Sequence, residues 1–239
     1  LAGDLGTGRL TTLLGAALGV KGVTNPLAAT GGDDPETGDR ARRSAPLTVR
    51  TFERIVSLDD VEDFAAAFAG VGKARAARLW DGEAEIVHLT IAGADGKPPQ
   101  ADDPLLANLR QAVASSGDPH LRMQIDPFVA LPFAVEATVF VQPDYESKAV
   151  LAAVRTALLG RFSFENWELA ASVALSEVVS TAQGAGGVDG VDLLGLHLVG
   201  EYANPNDLLV AERARFSGGT IMPAQLLSLA SENLAVSTA

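Results

Sequence analysis

Cysteine is absent from the 239 residues of this chain. Its absence excludes disulfide bonds and thiolate metal ligands, and it favours an intracellular protein. Aromatic residues are scarce, at 5%, so we expect a core filled by small aliphatic side chains. Basic residues are outnumbered, because 18 Lys and Arg face 30 Asp and Glu and the net charge is −12. A nucleic-acid binder needs a cluster of cations on one face, so we expect no nucleic-acid partner.

Long hydrophobic runs are also missing. No apolar run reaches the roughly 18–20 residues that a membrane-spanning helix needs, so we expect no direct membrane insertion. The opening stretch, "LAGDLGTGRLTTLLGAALGV", has an acid near its start and no basic segment before its apolar residues, which argues against a signal peptide. The chain starts with Leu1 rather than Met, and we therefore expect it to be a segment of a longer protein.

The motifs of common active sites are missing as well. His88, His120 and His197 are the only histidines, and none has the spacing of an HExxH zinc motif. No GxSxG pentad is present for a serine nucleophile. The early "GDLGTG" lacks the Lys-Ser/Thr of a phosphate-binding loop. The sequence therefore predicts no catalytic residue, no metal ligand and no cofactor-binding residue.

Pairs of acidic residues leave one enzymatic alternative open. Asp33-Asp34, Asp59-Asp60 and Asp102-Asp103 could serve a two-carboxylate hydrolase. Each pair stands where a helix is expected to begin, so N-capping explains them with no further assumption. Trp80 and Trp167 are interpreted as core or interface anchors.

The order of helix and strand signals predicts an α+β fold. Ser57 and Asp60 resemble a capping box before an amphipathic helix that ends near Gly70. Asp81-Gly82 predicts a hairpin between two strands. We expect two small units, each with helices on an antiparallel sheet, preceded by an extended Gly-rich arm and a short helix. The expected boundaries are the arm and short helix as a joint region at 1–50, a first α+β unit at 51–128, a second at 129–215, and at 216–239 a loosely packed tail or an edge strand.

A gap-free internal repeat supports duplication of these units. "SLDDVEDFAAAFAGVGKARAAR" from Ser57 aligns with "ALSEVVSTAQGAGGVDGVDLLG" from Ala174. The alignment matches Gly70-Val71 to Gly187-Val188. Both segments predict a helix, a Gly-Val turn and an outgoing strand.

The stretch "NPLAATGGDDPETGDRARRSAPLTVRT", residues 25–51, differs from the rest of the chain in its charges and turn residues. Asp34 can cap a short helix with Pro35 at its first position, acids in its first turns and arginines in its last. These arginines and those beyond the helix could hold an anion, or pair with the acids between them or with a neighbouring subunit.

The same stretch resembles a known family. "GVTNPLAATGGDDPETGDRARRSAPLTVRTFERIVSLDDVEDFAAAFAGVGKARA" is similar to the signature of baseplate J-like proteins, which are wedge components of contractile phage tails and extracellular contractile injection systems. The later "GRFSFENWELAASVALSEVVSTAQGAGGVDGV" resembles the second half of the family pattern, with Ala170 where the pattern has Gly. The matching positions of the first segment are Gly22, Val23, Asn25, Pro26, Gly31, Gly32, Glu36, Arg40, Arg43, Ala45, Pro46, Arg50, Thr51, Arg54, Val56, Ser57, Asp60, Glu62, Asp63, Phe64, Gly70 and Val71.

The resemblance implies a structural baseplate wedge subunit that is not an enzyme. Its implied partners are other copies of itself, other wedge subunits, the sheath and tube initiators, and the hub and spike. It would assemble in the cytoplasm and then form part of a phage-tail-like particle, where it would transmit the contraction trigger. An Asp/Glu-dependent hydrolase domain and an adaptor domain of another complex are the alternatives. The candidate interface or joint residues are Asn25, Pro26, Arg40, Arg43, Arg50 and Arg54.

Overall fold

The computed structural model of the protein describes residues 5–15, 19–28, 57–116, 122–202 and 206–239. The helices in these ranges are α1 (Leu58–Ala66), α2 (Pro104–Ser116), α3 (Ser147–Arg161) and α4 (Leu175–Gln183). The strands are β1 (Val71–Trp80), β2 (Glu85–Gly93), β3 (Met123–Pro127), β4 (Val129–Val141), β5 (Val173–Ala174), β6 (Val188–Leu198), β7 (Leu208–Leu209), β8 (Arg215–Ser217), β9 (Thr220–Met222) and β10 (Gln225–Thr238).

The chain divides into two compact units. The first comprises Leu1–Ala74 and Ile91–Leu121, and the second comprises Arg75–Thr90 and Arg122–Ala239. The division passes through β1 and β2, since each of these strands contributes residues to both units. The boundaries expected from the sequence, at residues 50, 128 and 215, stay predictions.

The start of α1 confirms the expected capping box. The Ser57 hydroxyl oxygen accepts a hydrogen bond from the Asp60 amide at 3.1 Å, and the Asp60 carboxylate accepts one from the Ser57 amide at 2.8 Å. Each side chain thereby satisfies a backbone N–H that the helix itself leaves unpaired. In the first unit, α1 buries Val61 and Ala65, and α2 buries an apolar row of its own, formed by Leu106, Leu109 and Val113.

The larger sheets have three strands each, in the orders β1-β2-β3 and β10-β4-β6. Strand β6 runs antiparallel to β4, whereas β10 runs parallel to it. The α+β class is confirmed, but the β10-β4-β6 sheet is mixed rather than antiparallel throughout. A parallel pair needs a long connection, and here the chain leaves β4, passes through α3, α4 and β6, and returns to β4 with β10.

The side chains of β4 alternate between the two faces of its sheet. Val135, Ala137 and Val139 are buried on one face, as the period-two pattern predicts, together with Phe133. The helix that follows, α3, buries an apolar stripe made of Val150, Val154 and Leu158, while Leu151 is half-buried. The intervening positions of β4, Ala134, Glu136, Thr138 and Phe140, belong to the opposite face.

Aromatic side chains pack against one another in the core near the end of α3. The Phe162 ring meets Phe133 edge-on with centroids 5.6 Å apart, and it meets Trp167 at 5.0 Å. The Trp167 indole N–H donates to the Ala171 carbonyl at 3.0 Å, so its polar atom is satisfied. Trp167 is therefore a core anchor. Trp80 is exposed, so of the two roles expected from the sequence, core or interface anchor, the interface role is the one left for it.

Strand β10 resolves the two alternatives for the last residues in favour of an edge strand. It buries four leucines and carries a register shift between Leu229 and Leu234. The Arg155 guanidinium spans this irregularity, since it donates to the Leu234 carbonyl at 2.8 Å and to the Ser231 carbonyl at 3.3 Å. The segment is therefore fixed to the sheet and is not a loose tail.

Residues 210–214, which lie between β7 and β8, form no strand. Here, the Glu212 amide donates to the Gln225 side-chain oxygen at 2.8 Å, and the Gln225 amide donates to the Glu212 carbonyl at 3.0 Å. The Ala211 amide donates to the Ser172 hydroxyl at 3.2 Å. The backbone of this segment bonds to other parts of the second unit, which interrupts a continuous strand.

The internal repeat has a structural counterpart. α1 and α4 have the same length, and each is followed by a glycine with positive φ, Gly70 at 88° and Gly187 at 85°. A strand then begins at the next residue. The buried residues of the helices also correspond, since Val61 and Ala65 of α1 align with Val178 and Ala182 of α4.

Candidate functional site: an arm held by Asn25

The described part of the N-terminal region is an extended arm, residues 5–15 and 19–28, without helix or strand. Asn25 holds the two runs of the arm together. The Asn25 side-chain oxygen accepts from the Leu10 amide at 3.0 Å, and its amide group donates to the Gly6 carbonyl at 3.0 Å and to the Leu27 carbonyl at 2.8 Å. The Gly8 amide donates to the Asn25 carbonyl at 2.9 Å. A single residue thereby fixes the spacing of the two runs of the arm.

The arm presents apolar side chains to solvent. Leu14 is fully exposed and Leu27 is 78% exposed, and Leu10, Leu13, Val20 and Val23 are also classed as exposed. Scattered apolar residues on a surface need no explanation, but six large ones on an extended segment of this length point to an interaction site.

The predicted joint residues divide into two groups. Asn25 and Pro26 belong to the arm, with Pro26 exposed immediately after the Asn25 hydrogen bonds. Arg40, Arg43, Arg50 and Arg54 lie outside the described residues, as does the short helix expected after Asp34. The structure therefore shows the hydrogen bonds of Asn25 within the arm, and the joint or interface role of all six residues stays a prediction.

Two of the acid pairs have capping roles. Asp60 belongs to the capping box of α1, and the Asp103 carboxylate accepts from the Leu105 amide at 2.9 Å at the start of α2. Asp59 lies in the first turn of α1, where a carboxylate interacts favourably with the helix dipole. Asp33 and Asp34 lie outside the described residues. Capping and the helix dipole therefore account for Asp59, Asp60 and Asp103.

A buried polar chain in the second unit was not predicted. His88 is fully buried in β2, and its Nε2 atom lies 3.0 Å from a carboxylate oxygen of Asp126 in β3. Its Nδ1 atom lies 3.4 Å from the Thr90 hydroxyl, which accepts from the Ala224 amide at 3.0 Å. One tautomer satisfies every group, with Nε2–H donating to Asp126 and Thr90 O–H donating to Nδ1.

The order hydroxyl, imidazole, carboxylate resembles that of a nucleophilic triad. However, Thr90 and His88 are both 0% exposed, so the hydroxyl has no surface toward a substrate. The Thr90 oxygen also already accepts from a backbone amide. The arrangement joins β2, β3 and the residue before β10 as a structural link. Its sequence signal is the pair of polar residues at 88 and 90 within an apolar strand.

The face of the β10-β4-β6 sheet that bears Glu136 has a second unusual histidine. His197 is 8% exposed and its Nδ1 atom has no hydrogen-bond partner. Gly195 precedes it by two residues on β6 and pairs with Glu136. A Cβ atom on Gly195 would lie 3.5 Å from His197 Nδ1 and 3.6 Å from the Glu136 carboxyl carbon. A side chain at this position would therefore be in ordinary van der Waals contact with both the imidazole and the carboxyl group.

The pKa of Asp81 is lowered by the turn in which it lies. Hydrogen bonds from the Ala84 and Glu83 amides to its carboxylate, at 2.7 and 2.8 Å, lower the pKa of Asp81 below its usual 3.8. Such bonds favour the ionised form because only the carboxylate accepts both. Asp81 therefore stabilises the β1–β2 turn.

The described ranges lack two kinds of feature. These ranges contain no group of three or more His, Asp or Glu side chains placed to hold a metal ion. Among their helices, none combines the length and the apolar character that crossing a membrane requires.

The fold and sites define an α+β protein that presents an arm with exposed apolar side chains. Residues 53–126 match the family model of the Baseplate J-like central domain. A chain from the cryo-EM structure of the anti-feeding prophage (AFP) baseplate, 6-fold symmetrised, has a similar fold, with a TM-score of 0.52 and 13% sequence identity over 92% of this chain. The present chain spans about half, 48%, of that chain. The search of curated proteins gives no match. The resemblance to the baseplate J-like family is thereby confirmed.

Proposed function

We propose that this chain is a structural wedge subunit in the baseplate of a contractile injection system or phage-tail-like particle. The observation that carries the proposal is the match of residues 53–126 to the Baseplate J-like central domain. The likeness of fold over 92% of the chain to a component of a baseplate supports it. In this role the chain is not an enzyme, which agrees with the capping roles of Asp60 and Asp103.

In this proposal the chain pairs with other wedge subunits and with its own copies in a ring around the hub and spike, contacts the sheath and tube initiators, and transmits the contraction trigger. It assembles in the cytoplasm and then remains in the particle. Residues 1–50 form the joint region, and residues 51–128 and 129–215 form the successive α+β units, with 216–239 after them. The exposed arm and its Asn25 hydrogen bonds agree with a joint region that contacts partners.

The direct test is the composition of the particle. The gene cluster that encodes the particle is expressed with an affinity tag on this chain, the particles are purified through a different component, and their proteins are identified by mass spectrometry. We expect the tagged chain in the particle and tag density in a six-fold ring on electron micrographs. A chain that never enters a ring-shaped particle contradicts the proposal and favours the adaptor alternative.

Arg43 and Arg50 give a residue-level test of the joint. We propose that they form ion pairs that fix the short helix at 35–44 to the α+β units or to a partner subunit. Removal of one partner of a desolvated pair costs about 3–5 kcal/mol, whereas an exposed pair contributes under about 1 kcal/mol. Arg43→Glu is expected to abolish incorporation into the particle, while the exposed-site control Lys97→Glu is expected to leave it unchanged. Equal incorporation of both variants contradicts the ion-pair role.

A further inference from the structure

The face of the β10-β4-β6 sheet that bears Glu136 is a partly exposed surface with apolar and acidic side chains. On β4 it carries Glu136, Thr138 and Phe140, the positions that alternate with the buried ones. Phe140 is 45% exposed, and its ring lies over Gly190, where a Cβ atom would be 3.6 Å from Phe140 Cδ2. Asp192 pairs with Thr138 on β6 and is exposed. We call this surface the Glu136 face.

Three observations indicate that the Glu136 face is built to receive a ligand. Leu194, at the register shift of β6, is 52% exposed beside the acidic positions. His197 has a buried ring nitrogen without a partner, which costs free energy in the isolated chain. Gly195 has no side chain between this nitrogen and Glu136, and a Cβ atom there would be in van der Waals contact with both.

The arm has the complementary composition. Residues 5–28 contain Arg9 and Lys21 and no Asp or Glu, although the whole chain has a net charge of −12. Both cations are exposed, as are six large apolar side chains between Leu10 and Leu27. Two cations and an apolar stretch on the arm match two carboxylates and two exposed apolar residues on the Glu136 face. Electrostatic complementarity of this kind selects a partner and its orientation.

We propose that the arm of one copy of this chain docks on the Glu136 face of a second copy, with Arg9 and Lys21 placed against Glu136 and Asp192. The inference rests on the proposed function and adds to it a specific contact between copies. The apolar side chains and both cations of the arm are exposed and therefore accessible to a partner. A second copy supplies an acidic, partly apolar surface of the required kind.

This contact joins two different surfaces, and heterologous contacts close into rings when the rotation between copies is suitable. The Asn25 hydrogen bonds prepare the arm for docking because they fix its two runs before the copies meet. Ordering that is completed in the free chain no longer opposes association.

Exchange of charges between the two surfaces provides the main test. The isolated chain is studied by analytical ultracentrifugation with Arg9→Glu/Lys21→Glu (the arm variant) and Glu136→Lys/Asp192→Lys (the face variant). The wild type is expected to associate with rising concentration, and each variant alone is expected to associate at least about tenfold more weakly, as loss of two charge pairs implies. An equimolar mixture of the two variants is expected to regain association, because each arm then meets a face of opposite charge.

The matched control is Glu165→Lys/Glu201→Lys, which makes the same change of net charge at exposed positions outside the Glu136 face. It is expected to associate as the wild type does. Equal weakening by this control, or a mixture of the arm and face variants that stays monomeric, overturns the proposal. A wild type that is monomeric at every concentration also overturns it.

Cross-linking locates the contact independently, since the chain has no cysteine of its own. A Leu14→Cys copy and a differently tagged Phe140→Cys copy are mixed and treated with a short bismaleimide. We expect a product that carries both tags, and much less of it when Glu165→Cys replaces Phe140→Cys. Equal yields from the two pairs contradict docking on this face.

Failure of this inference is distinguishable from failure of the proposed function. If the wild type enters the particle but the arm variant does so equally well, the baseplate role stands and the docking contact is wrong. If the arm variant is excluded from particles while the isolated wild type remains monomeric, the arm binds a different baseplate protein. If the wild type associates with itself but never enters a particle, the proposed function is wrong.

Discussion

Gly70 and Gly187 hold the same left-handed conformation, with φ of 88° and 85°, between a helix and a strand in the two related segments of the chain. Their surroundings differ. A Cβ on Gly70 would meet the flexible end of Leu105 at 3.1 Å, whereas a Cβ on Gly187 would meet the Tyr145 ring at 2.5 Å and Val150 at 2.9 Å. The backbone conformation is shared, but only the second glycine is also closely enclosed.

We predict that Gly187→Ala destabilises the protein more than Gly70→Ala. Each substitution places a side chain in the left-handed region, which costs about 1–2 kcal/mol. Gly187→Ala also forces the Tyr145 ring and Val150 away from the new methyl group. Such overpacking adds about 1–3 kcal/mol to the loss of stability. Urea unfolding of the two variants measures the difference. Equal losses would contradict the steric argument.

Ala170→Gly is predicted to stabilise the chain. Ala170 has φ of 60°, and it stands where the pattern of the baseplate J-like family has glycine. Its amide donates to the Gln225 carbonyl at 2.7 Å, which holds the backbone in this conformation. Relief of the strain, reduced by the greater freedom of glycine in the unfolded chain, gives a net gain of about 0.5–1 kcal/mol. The neighbouring Ala171→Gly is the control. We expect its unfolding midpoint to be no higher than that of the wild type.

Thr90→Val is predicted to weaken the link between β2 and the start of β10. The change keeps the shape of the side chain but leaves the buried Ala224 amide without its acceptor and His88 Nδ1 without its donor. An unsatisfied buried group costs about 1–3 kcal/mol. Chemical denaturation gives the loss, and hydrogen exchange at Ala224 reports the released amide. Thr156→Val, which removes an exposed hydroxyl on α3, is the control; a similar loss there would argue against the link.

Asp81 predicts the direction of one acid-dependent contribution to stability. Its pKa is lower in the folded protein than the usual 3.8, chiefly because the Ala84 amide and then the Glu83 amide donate to its carboxylate. This contribution is complete at pH values above 3.8 and is lost as the pH falls through the lower, folded pKa. Asp81→Asn removes it, so the stability of the variant is expected to fall less steeply with acid. Thermal unfolding between about pH 5 and pH 2 measures the two slopes, and identical slopes would contradict the assignment.

Local signals in the sequence predicted most elements of the fold. Ser57 and Asp60 located α1, Asp81-Gly82 located the hairpin, and the alternation through Val135 and Val139 identified the buried face of β4. The parallel placement of β10 was not predictable in this way, because no local pattern states which distant strand it joins. Tertiary pairing decided that feature.

The candidate sites were predicted only where chemistry was local. Asn25 was identified through the family pattern, but its four hydrogen bonds connect residues up to 19 positions apart, and spacing alone does not reveal them. His88 stands within an apolar stretch of sequence, but the groups that it is linked to, Asp126 and Ala224, come from elements far along the chain. Side chains that meet through tertiary structure leave little trace in a single sequence.

The place of β10 in its sheet has a consequence for synthesis of the protein. While the ribosome is still translating the residues before 225, β4 and β6 can already pair, but the other edge of β4 remains exposed. An exposed strand edge is open to pairing with other chains, and contacts between distant segments form slowly. The second sheet is therefore complete only after residues 225–238 have been translated, and a nascent chain is at greater risk of aggregation in the interval before β10 emerges.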